Sequence, residues 1–131
     1  MTLKFHAKVL HTERTDDHIM VGFADDPLVT TEFVMLTRGL SSLPDIPAEI
    51  TGGLYFEYAD EAMSGYACVR AITLGLDRIT IKVDRAACPQ VPHAEFLITF
   101  DPGDPLAADL AALVSEIIGE DATFQQSGGR A

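Results

Sequence analysis

Residues 94–119 read AEFLITFDPGDPLAADLAALVSEIIG, and the hydrophobic period changes partway through them. Ala94, Phe96, Ile98 and Phe100 recur at every second position, which puts them on one face of a β-strand. From Leu106 onward the apolar residues Leu106, Leu110, Leu113, Val114, Ile117 and Ile118 are spaced by threes and fours, as on one face of a helix. The switch has its own punctuation. Asp104 suits the position that caps a helix N-terminus, Pro105 suits the first helical position, and Gly119 stops the run. An amphipathic helix that follows strands must bury its apolar stripe, and a sheet is the surface available.

Working back along the chain, the same period of two recurs. Leu3, Phe5, Ala7 and Val9 make a first strand, and Ile19, Val21 and Phe23 make a second across the polar stretch Glu13 to Asp17, a spacing that predicts a hairpin. Asp25-Asp26-Pro27 closes it. Phe33 to Leu36 is a third strand. Residues 39–53, with Pro44, Pro47 and a glycine pair, form the longest irregular connection. Leu54, Phe56 and Tyr58 define a fourth strand in which Tyr55 and Glu57 face the other way, with Asp60 and Glu61 at its exit. Tyr66 to Leu74 and Ile79 to Val83 flank Gly75-Leu76-Asp77-Arg78, a turn by composition. The expected fold is α+β: one mainly antiparallel, curved sheet of six to seven strands with the C-terminal helix on one face. Residues 1–120 make one domain. Residues 121–131, polar except for Phe124, are expected to be a flexible tail.

A chain of 131 residues suits a single core. Its 20 acidic and 9 basic side chains give a net charge of −11. Such a field repels phosphate backbones and anionic headgroups, so neither nucleic acid nor a membrane is an expected partner, whereas a basic protein would be steered toward it. Plain solubility is the alternative reading of the same charge. The opening MTLKFHAKVLHTE alternates in polarity and lacks the apolar run of a signal peptide, and no stretch has the eighteen or so apolar residues of a membrane helix, so a cytoplasmic location is expected. Cys68 and Cys88 show no CxxC spacing. They read as reduced thiols that pack in the core, with a disulfide as the alternative.

Catalytic patterns are sparse. His6, His11, His18 and His93 are scattered, without the one-face spacing of a metal pair. Ser41, Ser42 and Ser64 lack a nucleophile turn, and Gly52-Gly53 lacks the lysine of a phosphate-binding loop. Glu57 with Asp60 or Glu61 could act as an acid and base pair only in a cleft that holds them at a set separation. The residues therefore read as a non-enzyme with no cofactor and no metal. What remains is acid beside aromatic: Glu57, Asp60, Glu61, Tyr55, Tyr66, Asp25 and Asp26 are the candidate partner-binding residues, because interfaces combine aromatic anchors with charges that set approach and register. The competing reading is a set of solvated turns beside packed tyrosines.

The order FHAKV, IMVGFADD, FVMLTR, GGLYFEYADEAMSGYACV and ITLGLDRITIKV, spanning about residues 3–118, resembles the tenth immunity-protein family of bacterial polymorphic toxin systems. Its E-x-x-D element falls on Glu57 and Asp60, followed by Gly65-Tyr66. Where the family pattern has a glutamine after the acidic pair and a glycine pair after the tyrosine, this chain has Glu61 and Ala67-Cys68. The resemblance implies a small, cytoplasmic, catalytically inert protein that binds a cognate secreted toxin and occludes it, as a monomer or weak homodimer. It assigns no contact residues, so the candidate set rests on charge and aromaticity. A small-molecule-binding protein or weak enzyme, with a pocket between sheet and helix, is the alternative.

Overall fold

The alternation that runs from Leu3 through Val9 breaks at Lys8. In the computed structural model, which describes residues 2–39, 54–66, 68–119 and 122–126, strand β1 (Thr2–Ala7) ends there and β2 (Val9–Arg14) begins. Ala7 and Leu10 are both buried, so the inward parity changes from odd to even across the bend. A one-residue change of phase of this kind turns every following side chain over. It also sends β2 into a different sheet from β1.

Eight more strands follow among the described residues: β3 (His18–Ala24), β4 (Phe33–Gly39), β5 (Leu54–Tyr58), β6 (Asp60–Tyr66), β7 (Val69–Leu74), β8 (Arg78–Val83), β9 (Glu95–Phe100) and β10 (Thr123–Gln126). They form two five-stranded sheets, ordered β1-β9-β8-β7-β10 (sheet I) and β2-β3-β4-β5-β6 (sheet II). The expected single sheet is therefore corrected to two. The fold class is still α+β, mostly strand with one C-terminal α-helix among the described residues. The chain crosses between sheets at Lys8 and again between β6 and β7, and side-chain alternation carries no mark of either crossing. Sheet II is antiparallel throughout, whereas in sheet I β1 runs parallel to β9 and β10 parallel to β7. A hairpin with β3 does form, but its partner is β2, with Leu10 opposite Phe23, and not the expected Leu3–Val9 strand, whose residues up to Ala7 pair with β9.

The inner faces meet in one core. Ile19, Val21, Phe23, Val34, Leu36 and Phe56 of sheet II are buried, as are Ile72, Ile79, Ile81, Phe96 and Ile98 of sheet I. Rings lock the layers together, with Phe56 5.5 Å and Tyr58 5.0 Å from Phe96, and Phe23 6.5 Å from Phe100. Asp104 caps as expected, its carboxylate accepting from the Leu106 amide at 2.9 Å. The first turn, Pro105–Asp109, is 3₁₀, and helix α1 proper is Leu110–Ile118. Leu110, Val114, Ile117 and Ile118 are buried, and α1 lies against β3, β4 and β10. Leu106 and Leu113 of the expected stripe are only partly buried.

The helix ends at Gly119, whose φ of 55° favours a residue without Cβ. Arg38 of β4 caps the end, donating to the Ile117 carbonyl at 2.6 Å and the Ile118 carbonyl at 2.8 Å, so a cation sits at the negative end of the helix dipole.

Three further expectations change. Cys68 and Cys88 form a disulfide, with Cα atoms 5.3 Å apart, in place of the reduced pair. They are 20 residues apart in sequence, and it is the second sheet crossing that brings Cys68 to the β8–β9 loop carrying Cys88. Asp60 and Glu61 open strand β6 instead of lying in a turn; the reversal is tighter, at Ala59, with φ of 66° and a register shift between Glu57 and Tyr58. Within the expected tail, Thr123–Gln126 form β10 because Phe124 pairs with Ile72 and packs partly onto the core. Residues 40–53, most of the expected long connection, lie outside the described residues.

Candidate partner-binding surface

Parity along β5 divides the candidate site. Leu54, Phe56 and Tyr58 go into the core, while Tyr55 and Glu57 point out from sheet II. The strand register then sets their neighbours. One row across the sheet reads Glu13, Met20, Thr37, Tyr55, Tyr66, and the next reads His11, Gly22, Met35, Glu57, Ser64. Phe33 follows beside Ala24 at one end. The result is a face of methionines and aromatics bearing two carboxylates.

The polar groups on this face hold one another in place. Tyr55 donates its hydroxyl to Glu57 at 3.0 Å, and its ring lies 5.2 Å from that of Tyr66, which is 41% exposed. Glu13 is flanked by His18 Nε2 at 2.8 Å and His11 Nε2 at 3.5 Å. The Thr37 hydroxyl, in the centre of the first row, is buried with no hydrogen-bond partner among the described residues.

Asp25, Asp26 and Asp60 lie elsewhere, at the end of sheet II where the β3–β4 loop meets the Ala59 reversal. Three residues of strand separate Tyr55 from Tyr58, about 10 Å along β5. Asp60 accepts from the Ala62 amide at 2.7 Å. Asp26 accepts from the amides of Leu28 and Val29, and these bonds, Val29 first, hold its carboxyl below the usual 3.8, with Lys8 3.7 Å away assisting. Glu61 is in β6, but its side chain is outside what is described. The candidate residues thus fall into two neighbouring groups: Tyr55, Tyr66 and Glu57 on the face, and Asp25, Asp26 and Asp60 at its end. Tyr58, which belongs to neither, donates to Glu32 at 2.7 Å, and its hydroxyl is pushed up to about 12 by burial and then by that carboxylate.

Reading the sequence alone missed Glu13, Met20, Phe33 and Met35 as members of the face. The alternation of Met20, Phe33 and Met35 was legible, whereas Glu13 read as part of the polar connection, and the adjacency of all four to Tyr55 depends on pairing partners. Between β2 and the helix a groove of about 340 Å³ opens, lined by Glu13, Arg14, Leu113 and Glu116 among others, with Arg14 and Glu116 paired across it. No group of three or more His, Cys, Asp or Glu placed to hold a metal ion occurs among the described residues. Among those residues no helix is long and apolar enough to cross a membrane.

A family model described as Immunity protein 10 matches residues 6–101, which include all of sheet II and the disulfide and stop before α1 and β10. The comparison with curated proteins gives no match.

Proposed function

This chain belongs to the immunity protein 10 family, and from that premise we propose that it protects a bacterial cell of a polymorphic toxin system by binding the cognate toxin domain and covering it, without catalysis of its own. Membership implies a toxin-immunity role and a toxin partner. The observation that supports a specific surface is the outer face of sheet II, where Met20, Phe33, Met35, Tyr55 and Tyr66 surround Glu13 and Glu57. Aromatic and methionine side chains supply contact area at modest ordering cost, and carboxylates of an acidic protein steer a basic partner into register. Asp25, Asp26 and Asp60 extend that field at the end of the sheet. Occlusion needs no reacting group: a long-lived complex that blocks the toxin's site is sufficient, and lifetime comes from a few well-buried anchors.

We place the protein in the cytoplasm of the toxin's producer, as a monomer or weak homodimer. A disulfide is unusual there. Both cysteines are at most 1% exposed, so a reductant reaches the bond only through a local opening of the structure. A small-ligand site, the alternative, would use the groove at Arg14 and Glu116.

The test is co-expression. The toxin domain encoded immediately upstream is induced with and without this chain, and survivors are counted. Survival that requires this chain, together with co-purification, is the expected result; death in both cultures with the chain folded would remove the immunity reading.

A further inference from the structure

The β3–β4 loop carries the two most exposed large apolar side chains among the described residues, Leu28 at 90% and Val29 at 74%. The backbone beneath them is held in place. Asp26 Oδ1 accepts from the Leu28 amide at 2.8 Å and the Val29 amide at 3.0 Å, Asp25 accepts from the Thr31 amide at 2.9 Å, and the Thr30 hydroxyl donates to the Asp26 carbonyl at 2.7 Å. Pro27 restricts the loop further by fixing its own φ. Two apolar side chains held ready on a braced tip lose little freedom on binding, and that saving goes into affinity.

The charge around the tip has one dominant sign. Asp25, Asp26 and Glu32 belong to the loop and Asp60 opens β6 beside it, while among the described residues Lys8 is the cation found bridging to them, at 3.7 Å from Asp26. From this apolar tip on an acidic collar we infer that Leu28 and Val29 are an anchor inserted into an apolar pocket of the toxin domain, with lysine or arginine on the pocket's rim. A second copy of this chain is a poor occupant, because two collars brought together would repel within a chain already at −11. The loop also runs directly into Phe33, so the tip is continuous with the outer face of sheet II. The inference rests on the toxin-binding reading and adds to it residues that charge and aromaticity had not singled out.

The test is binding of the purified upstream toxin domain to the wild-type chain and to a double variant, Leu28→Ser with Val29→Ser. Both positions are solvent-exposed, so the melting temperature should stay the same. The expected result is a rise in Kd of about thirtyfold or more, the size of a hot-spot loss, appearing mostly as faster dissociation. Tight wild-type binding with a variant Kd within about threefold would overturn the anchor and leave the toxin-binding reading intact. Failure of the wild type to bind would overturn both. A wild-type chain that self-associates through this loop, with the variant monomeric, would assign the tip to copy-to-copy contact and overturn the anchor as well.

Discussion

On the outer face of sheet I the two rows read Lys4, Leu97, Thr80, Thr73, Gln125 and Thr2, Glu95, Lys82, Ala71, Thr123. On the outer face of sheet II they read Glu13, Met20, Thr37, Tyr55, Tyr66 and His11, Gly22, Met35, Glu57, Ser64. Both faces have the same pleat and the same alternation. The first has four threonines and two lysines among its ten residues, and its polar groups pair locally: Thr2 donates to Glu95 at 2.9 Å, and His6 and Thr99 share a hydrogen bond at 2.8 Å. Threonine is a good strand former that water also satisfies, so this face is complete in solvent. The second carries methionine and tyrosine, side chains that gain from burial against another protein, beside two carboxylates that can steer a basic partner. That difference in composition is what supports the proposal of toxin contact on the sheet II side of the sandwich.

The comparison depends first on parity, and the largest effect tests it. Phe56 lies between Tyr55 and Glu57 but faces inward, 5.5 Å from Phe96. Phe56→Ala should cost about 3–5 kcal/mol of stability, whereas Tyr55→Ala should change the denaturant midpoint little. Equal losses would mean that the outer face of sheet II is itself covered.

A smaller effect concerns how the sheets are tied. The Cys68–Cys88 bond closes a 20-residue separation at the crossover from sheet II to sheet I. Its reduction should lower stability by about 3 kcal/mol, read as a fall in melting temperature with and without reductant. No change would show that the packing of Phe56, Tyr58 and Phe96 alone holds the layers together.

The smallest effect is confined to one end of sheet II. Asp26 has a folded value below its ordinary 3.8, so its bonds to Leu28 and Val29 contribute fully above 3.8 and are lost as pH falls through the lower folded value. Amide-exchange protection at Leu28 and Val29 should therefore disappear in that acid range while the amides of β3 and β4 stay protected. Uniform loss would show that the loop is not an independently braced unit.

These contrasts mark what the sequence made legible. Alternation was enough to place Tyr55 and Glu57 opposite Phe56, and composition was enough to put a cap at Asp104, on the 3₁₀ turn that leads into the helix, and the stop at Gly119. Pairing was not legible. The bend at Lys8 hides in an unbroken polar–apolar alternation and shows only when Ala7 and Leu10 are both found buried. The disulfide lacked any spacing signature because a change of sheet creates it. Phe124, alone in a polar segment, gave no period from which β10 could be read. Leu28 and Val29 were visible as an apolar pair after Pro27, but their exposure follows from the hydrogen bonds of Asp25 and Asp26, which fold the loop outward.

One titration tests the central claim most directly. Binding of the upstream toxin domain would be measured for the wild type, for Tyr55→Ala with Tyr66→Ala on sheet II, and for Lys4→Glu with Lys82→Glu on sheet I, each first shown to melt near the wild type. Loss of affinity of about 2 kcal/mol or more for the tyrosine variant, with the lysine variant within twofold of wild type, is the predicted result. Strong loss for the lysine variant, with the tyrosine variant still binding as the wild type does, would place the interface on sheet I and contradict the account.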